Sequence, residues 1–204
     1  MNFELRGLYA VTPDDLLLPR LSAIVGAALK GGVRLVQYRN KIAAAALRRA
    51  QAAELLRICR AAGAKLIVND DLALALEIGA DGVHLGRDDG KLAEARVALG
   101  KDKILGVSCY NEIARAEAAA SVGANYIAFG AMFASRTRPD AIRAPLSLLT
   151  EAKHFGVPIA AIGGITLGNA GSVIQAGADM VAVITDLFDT MNITARTAAY
   201  QDLF

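Results

Sequence analysis

Residues 63–86 of the chain, GAKLIVNDDLALALEIGADGVHLG, decide the fold. They hold two short apolar strands, and each strand follows a glycine: KLIVND follows Gly63 and GVHLG follows Gly79. A glycine there suits the left-handed residue that ends a helix, where a Cβ would clash. Only Asp71 to Ile78 separate the first strand from the next turn, so this helix is predicted to be the shortest of the chain. The stretch predicts a repeating unit of strand, helix and glycine turn.

The same arrangement, a glycine turn followed by a short apolar strand, recurs along the chain. A first strand, GLYAVT (7–12), brings the number of strands to eight. The strands are almost continuously apolar, as in a parallel sheet covered on both faces, and Ala-rich amphipathic segments between them predict helices. Eight such units in about 200 residues predict an α/β fold, a single (β/α)8 TIM barrel, with one domain over residues 1–204. A doubly wound sheet is the alternative, but it usually has five or six strands. The other turns are Gly32 before VRLVQYR, Gly100 before ILGVS, Gly123 before YIAFG, Gly156 before PIAAIGG and Gly177 before MVAVIT.

Composition excludes several classes of protein. Hydrophobic residues make up 54% of the 204 residues and charged residues 21%, which is ordinary for a globular protein and wrong for a disordered one. The net charge of +2 and the lack of a dense basic tract argue against nucleic-acid binding. No signal peptide, no membrane-spanning apolar run and no CxxC unit is visible, so a cytoplasmic location without membrane association is expected.

In such a barrel the strand ends and the loops after them carry the chemistry. These positions hold two basic clusters, several carboxylates and a glycine pair, which is the inventory of a site for a phosphate and a metal. In chain order the segments are Gln37-Tyr38-Arg39-Asn40-Lys41, Asn69-Asp70-Asp71, Gly86-Arg87-Asp88-Asp89, Ser108, Ser135-Arg136-Thr137-Arg138, Gly163-Gly164 and Thr185.

The cluster after the second strand alternates Gln37, Arg39 and Lys41, so these side chains share one face of an extended segment. Arg can grip phosphate oxygens with a bidentate fork, and Lys adds a mobile point charge. A solvated turn with scattered charges is the alternative interpretation.

Asp70 and Asp89 follow adjacent parallel strands, whose backbones run ~4.8 Å apart, so their carboxylates can converge. Mg²⁺ prefers one or two carboxylates with water and substrate phosphate oxygens, which makes this pair the candidate metal site. Asp71 is predicted to cap the following helix, and Asp89 has the alternative of capping the helix that starts near Lys91.

The remaining polar positions divide into a phosphate cradle and structural residues. Gly163-Gly164 followed by a short helix fits the cradle that many barrels place after their seventh and eighth strands. His84 lies inside a strand and is interpreted as structural rather than as a catalytic base. No Ser-His-Asp order stands out, so a triad hydrolase is excluded.

Together these segments resemble the thiamine-phosphate synthase family over nearly the whole chain. The matching segments are LYAVT, GGVRLVQYRNK, LIVNDDLALALEIGADGVHLGRDD, ILGVSCYN, ANYIAFGAMFASRTR and AIGGITLGNAGSVIQAGADMVAV. The resemblance implies a transferase of thiamine biosynthesis that requires Mg²⁺. It would join a hydroxymethylpyrimidine diphosphate to a hydroxyethylthiazole phosphate, giving thiamine phosphate and pyrophosphate.

Roles for residues follow from the same resemblance. Asp70 and Asp89 would bind Mg²⁺, and Arg39, Lys41, Ser108 and Arg138 would serve catalysis. The substrate-binding set would be Gln37, Tyr38, Arg39, Asn40, Lys41, Asn69, Ser108, Ser135, Arg136, Thr137, Arg138, Gly164, Ile184 and Thr185.

The chain departs from the family pattern near the site. Arg138 stands where the family favours Lys, Asn40 where it favours Glu, Thr185 where it favours Ser, and Ala131 and Ala134 where prolines are common. These departures leave room for a divergent paralogue.

Two other functions stay open. One is a thiazole tautomerase on the same fold, which would not need the paired aspartates. The other is a non-catalytic sensor or partner-binding scaffold. The expected partners are small-molecule substrates, and the oligomeric state stays open, with a homo-oligomer as one option.

Overall fold

A computed structural model of the chain describes residues 3–135 and 140–204. Eight parallel strands close into a barrel, in which each strand pairs with the next and the last pairs with the first. This confirms the predicted (β/α)8 barrel. The strands are β1 (Gly7–Val11), β2 (Leu35–Tyr38), β3 (Lys65–Asn69), β4 (Gly82–Leu85), β5 (Ile104–Tyr110), β6 (Tyr126–Phe129), β7 (Ile159–Ile162) and β8 (Met180–Val183).

Helices follow the strands and cover the outside of the barrel. They are α1 (Leu18–Lys30), α2 (Ala45–Ala61), α3 (Leu72–Ile78), α4 (Leu92–Leu99), α5 (Ile113–Ser121), α6 (Ser147–Glu151), α7 (Ala170–Gln175), α8 (Thr185–Phe188) and α9 (Ile193–Gln201), with a 3₁₀ turn over Ala152–Phe155. The prediction that the helix after β3 is the shortest is wrong, because α8 has four residues. It can be this short because α9 packs against α1 and β1 and covers the sheet there.

The glycine turns behave as the sequence predicts. All seven glycines of the series have a positive φ, between 65° and 115°. Gly79 shows why: at φ 70° it ends α3, and its N–H bonds back to the last turn of that helix. At the other end of α3, Asp71 is the predicted cap, and its Oδ1 accepts a hydrogen bond from the Leu74 N–H at 2.9 Å.

Side chains alternate between the two faces of each strand, so the protein has two hydrophobic cores. Residues on the outer face, such as Leu8, Val36 and Val68, pack beneath the helices. Residues on the inner face fill the barrel itself, so its interior is a packed core rather than a pore. The buried members of the inner core are Tyr9, Val11, Leu35, Ile67, Tyr126, Ala128, Ala160, Met180 and Ala182.

A repeated brace closes the N-terminal end of the barrel. In three Gly-Ala-Asp/Asn turns, at 79–81, 123–125 and 177–179, the third residue exchanges two hydrogen bonds with the strand before it. Asp179 is typical: its N–H donates to the Ile159 carbonyl at 2.8 Å, and its Oδ2 accepts from the Ile159 N–H at 2.8 Å. Asp81 binds Leu66 and Asn125 binds Leu105 in the same way. A cation completes each brace, namely Lys153, Lys65 and Arg96, respectively.

No helix within the described ranges combines the length and the apolar character that crossing a bilayer would require.

Candidate active site

A pocket of about 950 Å³ opens at the C-terminal ends of the strands, where a barrel of this kind carries its chemistry. Most of the residues predicted for the site line this pocket. They are Gln37, Arg39, Lys41, Asn69, Asp70, Asp89, Ser108, Ser135, Gly164, Ile184 and Thr185. Thr185 is the first residue of α8 rather than the last residue of a strand.

The basic cluster after β2 is held by the loop after β1. Asp14 accepts a hydrogen bond from the Lys41 N–H at 2.7 Å and another from Arg39 Nη1 at 3.1 Å. The hydroxyl of Thr12 bonds both the N–H and the carbonyl of Arg39 at 2.8 Å. Arg39 and Lys41 therefore face the pocket from an anchored backbone, and the guanidinium is largely shielded, with 15% of its side chain exposed.

The two aspartates predicted to bind metal converge. Asp70 has a left-handed backbone, with φ 64°, and its N–H donates to the His84 carbonyl at 2.8 Å. Asp89 accepts from the Gly86 N–H at 2.7 Å. Lys41 Nζ lies 3.1 Å from Asp70 Oδ2 and links the aspartates to the basic cluster.

Charge at this pair is unbalanced. Burial, followed by the hydrogen bond with Asp70, raises the pKa of Asp89 above its ordinary value. Two carboxylates in contact favour a shared proton or a bound cation. The alternative role for Asp89, as a cap of α4, is wrong, because Lys91 is the N-cap residue of that helix and Asp89 Oδ2 binds the Gly86 N–H instead.

The donor set fits magnesium better than a closed protein cage. Among residues 3–135 and 140–204, no three His, Cys, Asp or Glu side chains come together as a metal-binding group. Two carboxylates that face an open pocket beside cations suit Mg²⁺, because that ion keeps water and takes phosphate oxygens from a substrate.

Neutral polar groups form the floor of the pocket. Gln37, His84 and Ser108 point inward from β2, β4 and β5, and His84 Nε2 lies 2.7 Å from Ser108 Oγ. Burial lowers the pKa of His84 to about 4, so the imidazole is neutral at physiological pH. The prediction that His84 is structural agrees with its position inside the barrel, although the ring also reaches the pocket.

The glycine pair after β7 lies against the loop that follows β6. The N–H groups of Met132 and Phe133 donate to the carbonyls of Ile162 and Gly163, both at 2.9 Å. A Cβ on Gly164 would lie 2.7 Å from the Phe133 carbonyl carbon, so only glycine allows the two segments to approach this closely. Asn169 Nδ2 binds the Gly164 carbonyl at 3.0 Å and closes the turn.

Tyr38 and Asn40 face away from the pocket, which corrects the expectation that their side chains bind substrate. The Tyr38 hydroxyl donates to Gln51 Oε1 at 2.9 Å, and Asn40 Nδ2 reaches the Asp15 carbonyl at 2.7 Å and Gln51 Oε1 at 2.9 Å. The cause is the two-residue period of a strand, which turns them outward when Gln37 and Arg39 turn inward. Any contact with substrate would have to come from their backbone atoms.

Arg136, Thr137 and Arg138, three residues predicted for substrate binding, lie outside the described residues, as does Pro139.

The pocket also contains residues that sequence reasoning missed. Tyr110 and Glu112 line it beside Asp89, and the Tyr110 hydroxyl accepts from the Arg87 N–H at 3.0 Å. Arg87 pairs with Glu112, and its guanidinium lies 4.9 Å from the centre of the Tyr110 ring. The available signal was their position, because Tyr110 ends β5 and Glu112 follows it closely.

Comparisons with known proteins agree with this geometry. The family described as Thiamine monophosphate synthase matches residues 8–187. A curated thiamine-phosphate synthase from Chromobacterium violaceum is 56% identical over 201 residues, covering 98% of this chain and 97% of its own. The corresponding protein from Aromatoleum aromaticum is 55% identical over 202 residues, covering 98% and 97%.

A solved structure agrees as well. The thiamine phosphate pyrophosphorylase from Pyrococcus furiosus superimposes with a TM-score of 0.86 at 30% identity, covering 97% of this chain and 94% of the other. Sequence and fold thus point the same way, and the chain belongs to the thiamine-phosphate synthase family.

Proposed function

We propose that this chain condenses 4-amino-2-methyl-5-hydroxymethylpyrimidine diphosphate with 4-methyl-5-(2-phosphoethyl)thiazole or its carboxylated form. The products are thiamine phosphate and pyrophosphate, together with CO₂ when the carboxylated thiazole is the substrate. One observation carries the proposal beyond family membership. Asp70, Asp89 and Lys41 meet at the mouth of the pocket beside Arg39, where a diphosphate and its cation need both signs of charge.

Asp70 and Asp89 would hold Mg²⁺. When bound, the ion would supply positive charge to the diphosphate that leaves. Arg39 and Lys41 act on the same group, since a guanidinium fork and an ammonium both bind phosphate oxygens. The anchoring of Arg39 by Thr12 and Asp14 supports this role, because a preorganised cation stabilises developing charge at little reorganisation cost.

The reaction breaks the C–O bond between the pyrimidine methylene and the diphosphate. The bonding electrons leave with pyrophosphate, and the thiazole nitrogen donates its lone pair to form the new C–N bond. No proton has to be removed from either reacting centre, so no strong base is needed. A neutral His84 at the floor suits this chemistry, because a positive imidazolium would repel the pyrimidine cation that forms.

The remaining roles divide between the two substrates. Gln37, Asn69 and Ser108 would hold the pyrimidine, and Ser135 and Gly164 would contact the thiazole phosphate. Ile184 and Thr185 would close that pocket. Thr137 and Arg138 have roles through the family resemblance alone, at the thiazole phosphate and the diphosphate, and Arg136 is a further binding residue on the same ground.

The test is an assay of thiamine phosphate formed from both substrates, with Mg²⁺ and with EDTA. Product that depends on the metal supports the proposal. A folded protein that binds the thiazole phosphate but forms no product would favour the tautomerase or the sensor. Residues 1–204 would act as one catalytic domain in the cytoplasm.

A further inference from the structure

A chain of hydrogen bonds runs through the inside of the barrel, beneath the pocket. It begins at Gln37, whose Nε2 donates to the Tyr9 hydroxyl at 2.7 Å. The Tyr9 and Tyr126 hydroxyls lie 2.6 Å apart, and the Tyr126 hydroxyl lies 2.8 Å from His84 Nδ1. The chain ends with His84 Nε2 at 2.7 Å from Ser108 Oγ. Both ends, Gln37 and Ser108, line the pocket, and the two tyrosines between them are buried.

The hydrogen-bond chain has one direction in which every hydroxyl both accepts and donates. A neutral imidazole has one N–H donor and one acceptor nitrogen, and each hydroxyl has one proton to give. Since the Gln37 amide donates to Tyr9, every buried hydroxyl finds an acceptor only if the Tyr9 proton goes to Tyr126 and the Tyr126 proton goes to His84 Nδ1. His84 then carries its proton on Nε2 and donates it to Ser108 Oγ.

Packing holds the members of the chain in place. The Tyr126 ring stacks on His84 with their centres 5.5 Å apart, and it meets the Tyr9 ring edge-on at 5.6 Å. Gly106 on β5 leaves the space that the Tyr126 ring occupies, since a Cβ there would overlap the ring. Neither tyrosine can rotate out of the chain without opening the core.

We infer that this chain fixes His84 as the Nε2–H tautomer and thereby makes the Ser108 hydroxyl a hydrogen-bond donor to the substrate. His84 and Tyr126 are positioning residues, because they act through Ser108. The group that Ser108 recognises is an acceptor, such as an unprotonated ring nitrogen of a neutral heterocycle. This inference rests on the proposed function, in which Ser108 contacts the pyrimidine.

The tautomer can be observed directly. The protein has two histidines, so a long-range proton–nitrogen spectrum of uniformly ¹⁵N-labelled protein shows two imidazole rings. His154→Gln leaves only the signals of His84. We expect the His84 pattern of a protonated Nε2 and an unprotonated Nδ1. The opposite pattern would overturn the inference, because the chain would then run from Ser108 to Gln37.

Two tyrosine variants test the cause. Tyr126→Phe removes the donor to Nδ1 and should shift the His84 nitrogen signals. Tyr200 on α9 is a residue of equal burial whose hydroxyl donates to Asp186 on α8, and Tyr200→Phe should leave those signals unchanged. Equal spectra for wild type and Tyr126→Phe would contradict the assignment.

Kinetics test whether the chain acts through Ser108. Tyr126→Phe should lower kcat/KM for the pyrimidine diphosphate about tenfold and leave KM for the thiazole phosphate unchanged. The double variant with Ser108→Ala should lose no more than Ser108→Ala alone, because the positioned hydroxyl is already gone. Losses that multiply would refute positioning through Ser108. If neither the wild type nor any variant forms product, the proposed function is refuted. The spectrum still reports the tautomer of His84.

Discussion

The two ends of the barrel are built on different principles. At the N-terminal end the same brace occurs three times, at Asp81, Asn125 and Asp179, and each copy satisfies backbone groups of one strand. At the C-terminal end no such repeat is visible among the described residues. There Asp70 and Asp89 crowd together, and a left-handed aspartate follows β3. Periodic contacts therefore stabilise one end, while the other holds two carboxylates in contact, an arrangement that a bound cation would stabilise.

The largest expected effect breaks the functional end alone. Asp89→Asn keeps an acceptor for the Gly86 N–H but removes the charge, so kcat/KM should fall about 100-fold or more.

The metal-free Asp89→Asn variant should also be more stable than the metal-free wild type. The raised pKa of Asp89 means that its ionised form disfavours the fold, an effect absent below the unfolded pKa and complete above the folded pKa. Steady-state kinetics measures the loss of kcat/KM, and melting curves at neutral pH with and without Mg²⁺ measure the change in stability. A variant that unfolds, or one that Mg²⁺ stabilises as much as wild type, would contradict the metal role.

The second prediction breaks the structural end. Asp179→Ala leaves the Ile159 N–H and Lys153 without their partner, so the free energy of unfolding should fall by about 1–3 kcal/mol. Denaturant titration measures that loss, and kcat/KM should stay within about twofold of wild type. The exposed Asp102 offers a control, since Asp102→Ala should change neither quantity. A large loss of activity in folded Asp179→Ala would show that the ends are coupled.

The third prediction concerns the anchor of the basic cluster. Asp14→Ala frees the Lys41 N–H and Arg39, so kcat/KM for the pyrimidine diphosphate should fall about 3–10-fold through loss of positioning. Asp14→Asn is the matched control, because it retains the acceptor for Lys41 and should lose less. Steady-state kinetics with each substrate varied in turn separates this effect from one on the thiazole phosphate. An unchanged or increased kcat/KM would show that Asp14 restrains the cations rather than orienting them.

The smallest effect concerns Asp186, an aspartate of the functional end with a structural task. Its Oδ2 accepts from Arg196 and the Tyr200 hydroxyl at 2.7 Å and from the Leu167 N–H at 3.2 Å. Burial alone would raise the pKa of Asp186, but the bonds from Tyr200 and Arg196 lower it below its ordinary value.

Asp186→Asn should therefore cost less than about 1 kcal/mol at neutral pH. The difference from wild type is present above the unfolded pKa and disappears as pH falls through the folded pKa. Denaturant titrations between pH 7 and strongly acidic pH measure it. A difference that grows in acid would refute the assignment.

The sequence predicted the strands, the turns and a helix cap better than the contacts within the site. Glycine turns and apolar strands are local signals, so the barrel and the cap at Asp71 followed from them directly. The direction of a side chain is also a local signal, and the two-residue period that brings Gln37, Arg39 and Lys41 together turns the side chains of Tyr38 and Asn40 outward. The predicted role of these two residues rests on the family resemblance and would fall to their backbone atoms.

The partners of the site residues were not predictable, because they come from distant segments. Asp14 reaches Lys41 from the loop after β1, and Tyr9 reaches Tyr126 across the barrel. No periodicity in the sequence links these positions. His84 was interpreted as structural, and its contact with Ser108 became visible only once β4 and β5 were side by side.

The close fit of Gly106 against the Tyr126 ring has a consequence for directed evolution. A side chain at position 106 requires a smaller one at position 126, so a library that varies position 106 alone yields damaged proteins. Paired changes, such as Gly106→Ala with a small aliphatic residue in place of Tyr126, cross that barrier. They would also remove the phenol that closes the barrel below the pocket, leaving room for a longer substituent on the substrate ring.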